Sequence, residues 1–86
     1  MLLAEVVGRV WNDREHPVLQ GRRLVLVRDL DSGRAAVAVD LVEVTAGNTV
    51  LVAEEEAAGA AAGAPIDCAV VALVGGADEL PGRGGT

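Results

Sequence analysis

Apolar and polar residues alternate with a period of two over much of the chain, a pattern that is typical of half-buried β-strands. In the first such segment, Ala4 to Trp11, we predict one face with Ala4, Val6, Gly8 and Val10, and another with Glu5, Val7, Arg9 and Trp11. Later runs rich in Val, Leu and Ala predict further strands at Leu24–Arg28, Ala35–Asp40, Thr49–Ala53 and Asp67–Val74. Polar residues with Gly or Pro separate the runs, so the pattern predicts an all-β chain.

The segment Glu54–Ala64 breaks this alternation. Its Glu and Ala residues favour a helix, and acidic residues at a helix start complement the helix dipole. Because two glycines weaken the helix and Pro65 ends it, we expect one or two turns. Five strands and this helix predict one small barrel domain over residues 1–75. Residues 76–86 contain four Gly and one Pro and predict a flexible C-terminal tail.

The apolar residues are small. They make up 51% of the chain, yet Trp11 is the only aromatic residue, and there is no Phe or Tyr. Ordering one residue costs roughly 1.5 kcal/mol, and burying a Val or Leu side chain returns only about 1.5–3 kcal/mol. The free energy of folding of a single copy is therefore expected to be close to zero. Association with other copies, which buries more apolar surface, would make it favourable.

The charge is acidic, with a formal net charge of -6. Such a field disfavours nucleic acid and anionic membrane surfaces, since both attract basic proteins. The single cysteine, Cys68, cannot form an internal disulfide, and the longest uncharged apolar run is about half a membrane span. We expect a soluble, cytoplasmic protein with neither nucleic acid nor membrane as a partner.

Signatures of catalysis are missing from the sequence, which contains no phosphate-binding loop, no Cys-x-x-Cys and no His-Glu-x-x-His. His16 is the only histidine and lies in a polar loop, and Cys68 lies in a Val-rich strand, where cysteine acts as a small apolar residue. The run Glu54–Glu56 is most simply a solvated helix start. We therefore predict no catalytic, cofactor or metal site.

Five residues are candidates for contacts between copies. Arg22 and Arg23 are interpreted as facing opposite sides of the sheet, one toward solvent and one toward a subunit contact. Asp40 and Asp67 flank apolar strands and act either as acceptors for backbone N–H groups in turns or as partners of an arginine on another subunit. For Trp11 we expect partial burial, either in the barrel or against a neighbouring subunit.

Several segments, in order, resemble the family of vertex proteins of bacterial microcompartment shells, found in carboxysomes and in ethanolamine- or propanediol-type metabolosomes. The resemblance covers roughly residues 1–74. The order and spacing of the similar segments are stronger evidence for it than any one segment alone. The similar segments are Val6–Trp11, Leu19–Val27, Ala36–Val42, Gly47–Val52 and Pro65–Val74. The third resembles an Ala-Val-Asp-x-Val segment of the family, and the fourth its Gly-x-x-Val-Leu-Val.

The sequence departs from the family pattern in three places. Ala4 stands where the family usually has glycine, and Glu43–Ala46 replaces a Gly-Ala-Gly-like turn. Glu54–Ala64 replaces a Gly-Ser-Ser-Ala-Arg-like turn, so the role of that turn in shell contacts does not carry over to this chain.

The resemblance implies an OB-like five-stranded barrel that assembles as a cyclic pentamer. It also implies that the pentamer fills the vertices of a polyhedral shell, beside hexameric shell proteins, and supplies the curvature that closes it. In the family, the loop after the third strand approaches the five-fold axis. By position, that loop is Thr45, Ala46, Gly47 and Asn48 here, which makes these residues the candidates for lining an axial pore.

A different class of function remains open, a small barrel that binds a protein or nucleic-acid partner. Barrels that grip single strands use stacked aromatic residues and a basic groove. One tryptophan and a net charge of -6 supply neither feature. A small enzyme is the third alternative, and it lacks a nucleophile or acid–base pair.

Overall fold

The alternating segments form five β-strands in the computed structural model, which describes residues 1–11, 19, 21–63 and 67–75. The elements are β1 (Leu2–Val10), β2 (Arg23–Asp29), β3 (Ala35–Asp40), β4 (Thr49–Glu54), α1 (Glu55–Ala62) and β5 (Cys68–Leu73). The predicted five-stranded barrel with one short helix is confirmed. His16 and the tail predicted for residues 76–86 lie outside the described residues.

The strands close into a barrel in the order β1-β2-β3-β5-β4. All neighbouring strands are antiparallel except β3 and β5, which are parallel and pair at Val39 with Ala69 and at Asp40 with Val70. β1 is longer than its neighbours and joins β4 through its first half and β2 through most of its length. The second half of β1 therefore extends past the start of β4.

Two apolar clusters lie on opposite sides of the sheet. The barrel interior contains Ala4, Val6, Val25, Val27, Ala38, Val44, Val50, Val52 and Val70. A second cluster of Leu24, Val39, Ala53, Ala58 and Ala69 includes a residue of α1. Because successive strand residues point to opposite faces, Ala53 and Ala69 point outward while Val52 and Val70 point inward. The helix thus covers part of the outer surface of the barrel.

A β-bulge divides β1 and changes which residues share a face. The register with β2 shifts between Val6 and Gly8. Ala4 and Val6 belong to the barrel interior, whereas Val10 packs against the outer cluster beneath α1. The prediction that Gly8 and Val10 share a face with Ala4 and Val6 is therefore wrong, because one extra residue in a strand reverses the alternation after it.

The helix is shorter than the predicted Glu54–Ala64 segment. Glu55 and Glu56 lie in its first turn, as the dipole argument predicts. It ends at Gly63, which adopts φ 67° and donates its N–H to the carbonyl of Gly59 at 2.9 Å. Left-handed glycine is a common end of a helix, so Gly63 terminates α1. In the described part of the chain, no helix is long and apolar enough to span a membrane.

Candidate functional site

The turn between β3 and β4, Thr45–Asn48, is held by its own side chains. The Asn48 side-chain oxygen accepts hydrogen bonds from the Thr45 backbone N–H at 2.8 Å and from the Thr45 hydroxyl at 3.2 Å. The Asn48 N–H donates to the Thr45 carbonyl at 3.1 Å. Thr45, Ala46 and Gly47 are exposed and Asn48 is half-buried. The turn thus has a defined shape and an accessible tip.

This β3–β4 turn is also attached to β1. The Val6 N–H donates to the Asn48 carbonyl at 2.9 Å, and the Gly47 N–H donates to the Val6 carbonyl at 2.8 Å. These bonds continue the ladder between β1 and β4 beyond its last pair, Glu5 with Thr49. Gly47 has φ 92°, and no atom lies within 4 Å of a Cβ built there. Within one chain, the backbone conformation and not lack of space requires glycine at this position.

A buried carboxylate fixes the segment that leads into the turn. The Asp40 side chain is fully covered, and it accepts hydrogen bonds from the backbone N–H of Val42 at 3.0 Å and of Val44 at 2.8 Å. The Arg23 Nε lies 3.3 Å from the same carboxylate, and a second guanidinium nitrogen donates to the Val44 carbonyl at 3.2 Å. The acceptor interpretation of Asp40 is confirmed, and its arginine partner belongs to the same chain.

The residues between Asp40 and the turn are pinned at a second point. Val44 is 2% exposed and joins the interior cluster, so a loop residue completes the barrel core. Glu43, just before it, adopts φ 58° in the left-handed region. A non-glycine residue in this conformation costs about 1 kcal/mol of backbone strain. The burial of Val44 and the hydrogen bonds to Asp40 offset that cost.

The other charged candidates are placed differently from Asp40. Arg22 donates to the Ala62 carbonyl at 3.2 Å, at the end of α1, so both arginines of the pair have partners within one chain. The Asp67 side chain is exposed, and its backbone carbonyl accepts the N–H of Glu55 at 2.6 Å. Contacts of Arg22, Arg23, Asp40 and Asp67 with another subunit stay predictions.

Trp11 is not part of the barrel. Its residue is 79% exposed, which excludes the first of the two burial sites predicted for it. The Arg9 guanidinium carbon lies 4.6 Å from the centre of the indole ring, a distance at which a cation and an aromatic face attract. Sequence reasoning missed this pair, although Arg9 and Trp11 stand two residues apart, the spacing of same-face neighbours in a strand.

A shallow groove of about 320 Å³ opens beside the hairpin that joins β2 and β3. Its polar wall includes Asp29, Ser32, Arg34 and Glu54. The Asp29 carboxylate accepts the backbone N–H of Asp31 at 2.8 Å, and this hydrogen bond holds the pKa of Asp29 below its ordinary value. The carboxylate is thus engaged in shaping the hairpin turn.

Cys68 borders the same groove and is half-buried. Burial raises the pKa of its thiol, and the negative charge of Glu54 raises it further. A thiol that holds its proton is a poor nucleophile and a poor metal ligand. Across the described segments, no three His, Cys, Asp or Glu side chains are grouped so that they could hold a metal ion.

Comparison with known proteins places this barrel in a family. The model of the family described as ethanolamine utilisation protein EutN/carboxysome matches residues 1–75. The chain belongs to this family. No curated protein gave a significant match.

Solved structures of EutN/carboxysome relatives share the fold. The GrpN pentameric microcompartment shell protein from Rhodospirillum rubrum is 28% identical, with a TM-score of 0.84 over 93% of this chain and 100% of that chain. CcmL from Nostoc sp. PCC 7120 is 32% identical, with a TM-score of 0.78 over 86% and 88% of the two chains. EutN from Escherichia coli is 30% identical, with a TM-score of 0.78 over 86% and 84%.

The predicted family is thereby confirmed. The chain is a homologue of microcompartment shell proteins, and its role is that of a structural shell component. The β3–β4 turn, with the Asp40–Arg23 pair that fixes the segment leading into it, is the candidate functional site of a protein that acts by assembly.

Proposed function

We propose that five copies of this chain form a ring that occupies the vertices of a polyhedral microcompartment shell in the cytoplasm. Hexagonal tiles alone make flat sheets, and a five-fold unit supplies the curvature that closes them. The observation that carries the proposal is the similarity to the pentameric GrpN shell protein along the whole of that chain. The function is geometric, and neither catalysis nor a cofactor has a part in it.

The barrel is suited to a ring. A head-to-tail contact that closes on itself leaves no unpaired surface, whereas one that does not close builds fibres. Four of the eight large apolar side chains that are exposed among the described residues belong to β1 or adjoin it, with Met1 and Leu3 at its start and Val7 and Trp11 toward its end. Two different apolar surfaces on one subunit are what a head-to-tail contact requires.

Within this ring, the β3–β4 turn lines the opening on the five-fold axis. Thr45, Ala46 and Gly47 present small, exposed groups, and their backbones can approach closely. The hydrogen bonds of Asn48 and Val6 fix the turn before assembly, so little conformational entropy is lost when five turns converge. Hexameric shell proteins of the same compartment are the neighbours of the completed pentamer.

Native mass spectrometry of the purified protein tests the ring directly. We expect a mass of five copies at micromolar concentration, and a monomer or dimer there contradicts the proposal. Electron microscopy of a strain that lacks this gene and any other vertex protein tests the shell role. Elongated or leaky shells are the expected phenotype, and normal closed polyhedra would remove the vertex function while leaving the fold intact.

Ala46 offers the cleaner test of the axial position. Any side chain at Gly47 strains the backbone at φ 92°. A substitution there can therefore impair folding, and a loss of pentamers would not show whether folding or assembly had failed. Ala46 is exposed, and its φ is not in the left-handed region. Ala46→Trp places five indoles at the axis, and we expect a folded barrel that no longer forms pentamers. Ala61→Trp, at an exposed position in the last turn of α1, is the matched control, and equal effects of both substitutions would contradict the axial placement.

A further inference from the structure

Trp11 is the single aromatic residue of the chain and lies almost wholly in water in one copy, with 79% of its surface exposed. An indole is a large apolar group, and leaving it in solvent forfeits one of the largest burial energies available to any side chain. It stands just after β1, beyond the level at which the β3–β4 turn meets that strand at Val6. Nothing in the described part of the barrel covers it.

The Arg9 guanidinium lies over the face of this indole. The guanidinium carbon lies 4.6 Å from the ring centre, and both residues follow the β1 bulge on a part of the strand that has β2 on one side only. Tryptophan and arginine are the residues most enriched among those that dominate the energy of protein interfaces. A stacked pair is already ordered, so docking it costs less entropy than docking two free side chains.

The surface with complementary charge lies at the junction of β4 and α1. Glu54, Glu55 and Glu56 follow one another there and are exposed, and Asp67 joins them because its carbonyl binds the Glu55 N–H. We name these four residues the acidic junction. Asp40–Arg23 is the one ion pair within the described residues, so none of the four carboxylates has a basic partner there.

We infer that the Arg9–Trp11 pair of one copy docks against the acidic junction of a second copy, and that this contact repeats around the ring. The inference rests on the proposed pentamer and specifies its interface. The indole packs on the apolar stems of the glutamates, and the guanidinium edge binds their carboxylates. Because the two surfaces differ, the contact is head-to-tail, as a closed ring requires.

The lone tryptophan makes the first test spectroscopic. Fluorescence of the intact pentamer should show Trp11 emission at shorter wavelength than in dissociated subunits, together with protection from acrylamide. Native mass spectrometry of the same sample establishes the oligomer. A pentamer whose indole emits and is quenched like free tryptophan overturns this interface and leaves the proposed function standing. A sample with no pentamer overturns both.

Charge exchange provides the second test. Arg9→Glu and Glu56→Arg should each weaken the subunit contact at least about 30-fold, the scale of a dominant interface residue, and the double variant should regain most of the loss. Arg28→Glu with Glu56→Arg is the matched control, since Arg28 is exposed on β2 and lies outside the groove that Glu54 lines, and it should not recover. Recovery in the control but not with Arg9→Glu, or no effect of Arg9→Glu, overturns the assignment. Circular dichroism verifies that each variant folds.

Discussion

Replacing the buried Asp40 by alanine should be among the most damaging single changes in the protein. The substitution deletes the acceptor of two backbone N–H groups, those of Val42 and Val44, and the anionic partner of Arg23. Val44 is buried, so its N–H cannot turn to water, and an unsatisfied buried donor costs about 1–3 kcal/mol. Arg23 is 33% exposed and keeps its bond to the Val44 carbonyl, so its loss is smaller.

Together these terms give a cost of about 2–4 kcal/mol, below the range for a fully buried ion pair because Arg23 still reaches water. Asp40→Asn keeps the shape but replaces one acceptor oxygen by a donor, so one of the two N–H groups loses its partner. We therefore expect about 1–3 kcal/mol for that variant. The order of the two losses follows from the hydrogen-bond pattern and does not depend on the charge alone.

Thermal unfolding of both variants, at the protein concentration used for the unmodified chain, measures these costs. Each kcal/mol lowers the midpoint of a domain of this size by about 4–8 °C, so Asp40→Ala should melt at least about 8 °C lower. Concentration is held equal because assembly adds to apparent stability. Asp31→Ala, at an exposed hairpin position, should change the midpoint by less than about 4 °C. If Asp40→Ala resembles Asp31→Ala, the carboxylate does not organise the loop and the reasoning fails.

Three further changes probe separate features. Glu43→Gly should raise stability by about 0.5–1 kcal/mol, because glycine relieves the strain at φ 58°, whereas a gain from Glu43→Ala would contradict that origin. Val44→Ala should cost about 1.5–3 kcal/mol in urea unfolding, and a smaller cost would mean that Val44 does not complete the core. Since burial raises the pKa of Cys68, the folded state holds the proton more tightly and stability should fall as pH rises above 9.0, a fall that Cys68→Ala should abolish. Iodoacetamide should also modify Cys68 more slowly than a free thiol at pH 8, and equal rates would count against a raised pKa.

Much of the fold could be predicted because each strand is a short run of small apolar residues, alternating or continuous, that polar residues, Gly or Pro separate from the next run. The bulge in β1 could not be predicted in this way. Val7 is apolar beside apolar Val6, so the residues give no sign of where the extra position lies. Gly63 illustrates a second limit, because the same glycine that weakens a helix interior terminates a helix when its φ is positive.

The candidate site was predicted in parts. The β3–β4 turn and Asp40 are singled out by the sequence, and the acceptor role is one of the two alternatives given for Asp40, but an arginine partner is considered only on another subunit. The hairpin after β2 contains the missing information, since Arg28 pairs with Ala35 and counting outward in an antiparallel register brings Arg23 opposite Asp40. The burial of Val44 was not predicted, because a single valine in a polar loop is not part of a repeating pattern of apolar residues.

The attachment of the β3–β4 turn to β1 has a mechanical consequence for a vertex. A turn bonded to a barrel strand through both Gly47 and Asn48 cannot swing outward like a hinged flap without breaking the bonds to Val6, each worth about 1 kcal/mol. The width of an opening lined by such turns is then set by the tilt of whole subunits. In the proposed ring, bending of the surrounding shell would alter that tilt, and the opening would then widen or narrow through movement of whole subunits while each turn keeps its shape.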